Sequence, residues 1–276
     1  MKLALISDVF FGADSEQRLS ERLEQAKAQG AELAVLPELA LDPWFPARRD
    51  RRDSDAELPG GPRSQILATA AKTVGIGVVG GAVVRDPASS ERRHNTALVF
   101  DREGRLVGSY AKSHLPEEEG YWETSHYAPG DQPAVLFEQF GMPFGIQICS
   151  DANRPVGSMA LAARGAELIL VPRATESRTF PRWRLVFQAI AMTSCAYVVS
   201  VNRPRPELDV AMGGPSVVVD PNGKVLLETT DPVVTTNLDR TALDAARKDY
   251  PGYLPVRADL YAQAWQETMT APPAKR

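Results

Sequence analysis

Glu38, Lys112 and Cys149 each close an apolar run that gives way to a polar turn: LAVLPE at 33–38, LVGSYAK at 106–112 and MPFGIQIC at 142–149. A carboxylate, an ammonium and a thiol supply a base, a fixed positive charge and a nucleophile. The thiolate is the reactive form of cysteine, and a neighbouring carboxylate can take the proton that must leave it. A lysine can hold the oxyanion that forms when sulfur attacks a carbonyl carbon. Each residue also has a plainer reading: a core cysteine, a loop glutamate, a surface lysine. The chemistry requires the fold to bring all three strand ends to one crevice, where α/β proteins place their sites.

The elements that must do this are legible along the chain. Residues 3–9 read as a buried strand, followed by a helix capped by Asp14 or Ser15 and stopped at Gly30. Residues 33–36 form a second strand, 64–74 a helix and 75–84 a glycine-rich strand. Residues 94–100 and 106–110 flank the turn DREG, and 134–137 and 143–148 pair as strands. A helix over 156–164, a strand over 167–171, a helix over 180–194 and a strand over 196–201 follow. The strands 216–219 and 224–228 flank PNG, and a strand over 233–237 precedes a short helix over 241–248. The remainder is expected to be irregular, with APPAKR at the end disordered. This alternation predicts an α/β layered sandwich of mixed sheets covered by helices. No linker divides it, so residues 1–265 are expected to form a single domain and 266–276 a flexible C-terminal tail.

Composition narrows the function classes. The 276 residues carry a net charge of −4 and a pI near 5.6, so no basic field draws the chain to nucleic acid or an anionic membrane. The arginines at 48, 49, 51 and 52 are interleaved with Asp50, Asp53 and Asp55 and read as a solvated loop. Two cysteines and three histidines are too few for a disulfide framework and fit no zinc spacing, so no metal or cofactor is expected. The N-terminus lacks a signal-peptide apolar region, no window reaches membrane-span length, and a reducing, cytoplasmic setting is the expectation. Gly77, Gly80 and Gly81 fall inside an apolar strand and are not a dinucleotide loop. Cys195, among small and apolar neighbours, reads as core; His114 reads as structural, and His94 has no evident partner.

Longer words surround the three residues. LPELAL at 36–41, AELPGGP at 56–62, HNTALVFDREGRLVGSYAK at 94–112, GYWETSHYAPGD at 120–131 and ICSD at 148–151 resemble, in order and spacing, the nitrilase superfamily of carbon–nitrogen hydrolases. GAELILVP at 165–172, VNRP at 201–204, VVVDPNGKVL at 217–226 and ADLYAQ at 258–263 extend the resemblance over nearly the whole chain. It implies a four-layer α-β-β-α sandwich that pairs into a homodimer or higher homo-oligomer. Glu38 matches the family's general base, Lys112 its catalytic lysine and Cys149 its nucleophile. Glu123 matches a further glutamate near the substrate, and the backbone N–H of Ser150 an oxyanion donor. The implied reaction is hydrolysis of a small amide or N-carbamoyl compound through a thioester, with no cofactor. A nitrilase attacking a nitrile, and a catalytically silent binding protein on the same fold, remain as alternatives.

Substrate recognition is where the chain departs from the family pattern. Ser150 stands in place of an aromatic residue and Val156 in place of a glutamate, while Asp151 and Pro155 are kept. Asn153 and Arg154 occupy positions that carry arginines in N-carbamoyl amino-acid hydrolases. Arg154 and Arg173 are candidates for a substrate carboxylate, since guanidinium pairs well with it. An internal ion pair with Asp151, Glu167 or Glu176 is the competing reading. His126 is a candidate for the pocket, and Trp122, Trp44 and Tyr121 lie in loops expected to wall it.

Overall fold

Apolar runs too continuous for a half-exposed sheet set the architecture. Strands buried on both faces read this way because helices cover the side turned away from the core. The computed structural model describes residues 1–270 apart from Ala134; the tail APPAKR, 271–276, lies outside the described residues.

The first half contributes β1 (Lys2–Ile6), α1 (Ser15–Ala28), β2 (Leu33–Val35), α2 (Pro62–Val74), β3 (Gly77–Asp86), β4 (Ser89–Phe100) and β5 (Leu106–Ala111). The two short strands β6 (Glu117–Glu118) and β7 (Tyr121–Trp122) and the single turn α3 (Glu123–His126) form an excursion. The second half contributes β8 (Leu136–Phe137), β9 (Phe144–Ile146), α4 (Pro155–Ala163), β10 (Leu168–Arg173), α5 (Phe180–Ser194) and β11 (Tyr197–Asn202). It continues through β12 (Ser216–Val219), β13 (Val225–Thr229), β14 (Val233–Asn237), α6 (Arg240–Lys248) and α7 (Ala258–Thr270).

Two six-stranded sheets result, ordered β14-β1-β2-β3-β4-β5 and β13-β12-β11-β10-β9-β8. Each holds three parallel strands, β1-β2-β3 and β9-β10-β11, extended by antiparallel neighbours. The sheets pack face to face. Leu3, Leu5, Leu33, Val35 and Val79 of one meet Phe144, Ile146, Leu168, Leu170 and Val199 of the other in one core. On the outer side of the first sheet, Ala4, Ile6 and Val78 pack against Leu19 and Leu23 of α1 and Leu67 of α2. Ile169, Val171 and Val198 of the second sheet pack against Phe187 and Ile190 of α5. The chain is therefore a four-layer α-β-β-α sandwich.

Several local expectations change. Asp14 precedes α1 in a left-handed conformation (φ 57°), and its side chain makes no cap hydrogen bond. The strand expected at 134–137 is only Leu136–Phe137; Ala134 lies outside the described residues. The segment after Lys248 is not irregular throughout: α7 runs to Thr270. Its Ala, Leu, Gln and Glu content favours helix, and Asp259 in the first turn complements the helix dipole. Among the described residues, no helix is long and apolar enough to cross a membrane.

Gly145 on β9 shows how tightly α4 seats on the sheet beneath the Cys149 turn. A Cβ there would lie 2.4 Å from Leu161 Cδ2 and 2.5 Å from Cδ1. Gly145→Ala is expected to cost about 1–3 kcal/mol through overpacking. Combined with Leu161→Ala, the urea-unfolding loss should fall clearly short of the sum of the two single losses. Strict additivity would show that the clash is relieved elsewhere.

Candidate functional site

Glu38 follows β2, Lys112 follows β5 directly, and Cys149 follows β9, so all three come from strand carboxyl ends, two from one sheet and one from the other. Lys112 Nζ donates to Glu38 Oε1 at 2.8 Å and to both carboxylate oxygens of Glu123, at 2.6 and 2.8 Å. None of the three side chains is more than 1% exposed. Glu123 arrives on the first turn of α3, whose backbone is tied to Pro116 O by the Glu123 and Thr124 N–H groups.

Asn95, on β4 beside Lys112, donates from Nδ2 to Glu38 Oε1 at 2.8 Å. Glu38 Oε1 is thus pinned twice, whereas Oε2 is buried with no hydrogen-bond partner. An unpaired buried carboxylate oxygen is costly, and it is the lone pair of this cluster left to receive a proton. The backbone helps aim it: Leu39, the next residue, has φ 48°.

Cys149 itself has φ 46° and opens a 3-10 turn, Cys149–Asn153. The first N–H groups of such a turn have no partner within it, so Ser150 N–H is available as a donor beside the thiol. Cys149 is 5% exposed, and its Sγ points toward Ala174 O at 3.9 Å. Asp151 fixes the turn to the loop after Lys112. Its Oδ1 accepts from Ser113 N (3.2 Å), His114 N (2.9 Å) and His114 Nδ1 (2.8 Å). Its Oδ2 accepts from Tyr110 OH (3.0 Å) and Ile148 N (3.2 Å).

Arg203, fully buried past the end of β11, straps the Glu38 loop to the second sheet. Its Nη1 donates to Glu38 O and Leu39 O at 2.9 Å each and its Nη2 to Asp42 O at 2.7 Å. Glu207 neutralises it, accepting from Nε at 2.9 Å and Nη2 at 2.7 Å.

Electrostatics follow from this packing. Burial pulls the Lys112 ammonium down, but Glu123, Glu38 and Cys149 outweigh it and hold it well above its ordinary value. Burial, reinforced by Glu38, raises Glu123 to about 8 against the opposing pull of Lys112. The Cys149 thiol is pushed up by burial and by Glu38, with Lys112 opposing, so it rests as the neutral thiol. The arrangement can therefore move a proton from sulfur on demand and stabilise negative charge beside Lys112; it does not store a thiolate.

Cys149 lines a cavity of about 380 Å³ together with Glu118, Glu119, Tyr121, Ser150, Asn153, Thr175, Glu176 and Trp183. Among the expected substrate contacts, Asn153 lines this cavity; Trp122, His126, Arg154 and Arg173 do not. Trp122 lies under the Arg49 guanidinium, 3.8 Å from its ring centroid. His126 is buried, with Nε2 donating to Arg48 O at 2.7 Å. Arg154 is exposed outside the cavity. Arg173 is wholly buried, donating to Ser200 Oγ, Thr175 Oγ1 and Pro215 O, with none of the expected carboxylates against it. Burial lowers its guanidinium to about 9. Trp44 packs behind Tyr121 and does not itself form the wall. Asn95, Trp183 and the Arg203 strap were not singled out from the sequence; HN in HNTALVF and VNRP were the only local signals. Among the described residues no group of three His, Cys, Asp or Glu side chains is arranged to hold a metal ion.

The carbon-nitrogen hydrolase family model matches residues 15–248. The chain belongs to the carbon-nitrogen hydrolase family, within the nitrilase superfamily. It is 29% identical to the human omega-amidase NIT2 over 91% of this chain and 92% of that protein. It also superposes on Saccharomyces cerevisiae Nit3, a member of branch 10 of the superfamily, with a TM-score of 0.81, 26% identity and coverage of 94% and 96%. A double mutant of the amidase from Nesterenkonia sp. AN1, in complex with acrylamide, gives a TM-score of 0.78 at 25% identity, covering 96% and 97%.

The Asp151 node yields a direct test. Asp151→Asn turns one acceptor oxygen into a donor facing at least two N–H or O–H groups. It is expected to cost about 2–4 kcal/mol, read as a lowered midpoint in urea unfolding. An unchanged midpoint would mean that the five donors find other acceptors.

Proposed function

We propose that this hydrolase cleaves the carbon–nitrogen bond of a small non-peptide amide through a thioester on Cys149. The observation that carries the reading is the buried Glu38–Lys112–Glu123 cluster beside the thiol, with Glu38 Oε2 unpartnered. Glu38 Oε2 takes the Sγ proton as sulfur adds to the carbonyl carbon. Lys112 Nζ and Ser150 N–H hold the oxyanion. As the tetrahedral adduct collapses the C–N bond breaks, and Glu38 returns the proton to the departing nitrogen. Water then adds to the thioester, giving its proton to Glu38. Collapse of the second adduct frees the carboxylic acid, and the proton returns to sulfur. In each adduct the negative charge moves from the Glu38 carboxylate to the oxyanion with no change in total, and a buried cation beside Glu38 can balance it in both places. The kinship with an omega-amidase and an amidase supports an amide over a nitrile substrate.

Cys149→Ala is expected to lower turnover of the best amide by at least about 10³-fold while unfolding stays cooperative. The intact enzyme, quenched during turnover, should carry the acyl mass on Cys149. Retained activity in the variant, or ammonia with equal ease from the matched nitrile, would remove the reading.

Glu123 gives a pH signature. While protonated it leaves Glu38 and Lys112 balanced; once ionised it adds a negative charge that opposes both thiolate and oxyanion. Its value near 8 lies far above the ordinary 4.5, so kcat/KM should fall as pH rises through about 8. Glu123→Gln should lack this alkaline limb. A limb that persists unchanged in the variant would assign it to another group.

A further inference from the structure

The wall of the Cys149 cavity is charged in one sense. Glu118, Glu119 and Glu176 contribute three carboxylates, and the only guanidinium on the wall is that of Arg178. Arg178 is occupied, because its Nε and Nη2 both donate to Glu176. Among the described residues neither Glu118 nor Glu119 has an ion-pair partner, although their neighbour Glu117 is paired with Arg49 at 3.0 Å. The wall therefore holds two carboxylates that, among the described residues, have no ion-pair partner. Among the described residues no unpaired cation lines this cavity: Arg154 is exposed outside it, and Arg173 is wholly buried.

A second observation concerns the aromatic walls. Tyr121 and Trp183 border the same cavity, and aromatic rings attract cations. The Tyr121 hydroxyl is buried there with no hydrogen-bond partner. A ligand N–H would satisfy its oxygen. Isolated surface carboxylates contribute little, but carboxylates lining one cleft focus their field inside it.

We propose that the enzyme takes an amide whose non-reacting end carries a positive charge, an ammonium or guanidinium group, held between Glu118, Glu119 and the Tyr121 and Trp183 rings while the carbonyl sits over Cys149. This rests on the reading of Cys149 as the amide-cleaving nucleophile. A carboxylate-bearing amide of the same length meets like charge at the wall and is disfavoured.

Three primary amides of matched length test it on the intact enzyme: 4-aminobutanamide (cationic), pentanamide (neutral) and glutaramic acid (anionic). Ammonia release should give kcat/KM about 10-fold higher for the cationic compound than for the neutral one, and lower again for the anionic one. The preference should shrink as salt rises from about 0.05 to 0.5 M. In the Glu118→Gln/Glu119→Gln double variant the cationic compound should lose affinity through KM, narrowing the ratio. Calorimetric binding of the same three compounds to the Cys149→Ala protein reads the preference without turnover. Hydrolysis with no charge preference, or preference for the anion, overturns the inference and leaves the amidase reading intact. Cation-selective binding without hydrolysis by the intact enzyme removes the amidase reading and keeps the charge selectivity. A preference unmoved by the double substitution also overturns the assignment to this wall.

Discussion

A primary ammonium buried without compensation costs several kcal/mol, and Lys112 is wholly buried. Its ammonium is compensated by Glu38 and Glu123, and the rest of the site is a consequence of that requirement. Two carboxylates must reach one nitrogen from separate stretches of chain, one after β2 and one on α3. The loops carrying them must then be held as firmly as the sheets. Arg203 does this for the Glu38 loop by capping three of its carbonyls, with Glu207 in turn balancing the guanidinium. Asp151 does the corresponding work across the crevice, gathering five donors from β5, the loop after Lys112 and the Cys149 turn.

The cluster also sets the resting state of the thiol. A lysine next to a cysteine is often taken to imply a standing thiolate. Here burial and the nearby carboxylate outweigh Lys112, and the proton stays on sulfur. Under the proposed function, the nucleophile then forms only when a carbonyl is in place. A small cavity above a neutral thiol limits reaction with electrophiles that do not fit it.

Much of this was legible in the sequence because strand ends are marked by a change from apolar to polar residues within two or three positions. Glu38, Lys112 and Cys149 all sit at such changes, and the parallel cores of both sheets follow from runs such as LILV at 168–171. Tertiary partnerships were not legible. Asn95 and Glu38 are 57 residues apart, and Arg203 lies 165 residues from Glu38, whose carbonyl it binds. No local pattern ties such residues together. Arg173 shows the opposite failure: a guanidinium at a strand end suggested a carboxylate ligand, but β10 turns that side chain into the protein, where hydroxyls and a carbonyl take its donors. Helix α7 was missed because its residues are exposed, so no buried stripe announces it.

The left-handed backbone at Cys149 has an evolutionary consequence. A side chain at φ 46° costs roughly 1–2 kcal/mol that glycine would not incur. Glycine would relieve that cost, so the position keeps its thiol at some expense in stability. Under the proposed function, a lineage released from catalysis while keeping the fold should therefore lose this thiol before Glu38 and Lys112, whose mutual pairing is structural.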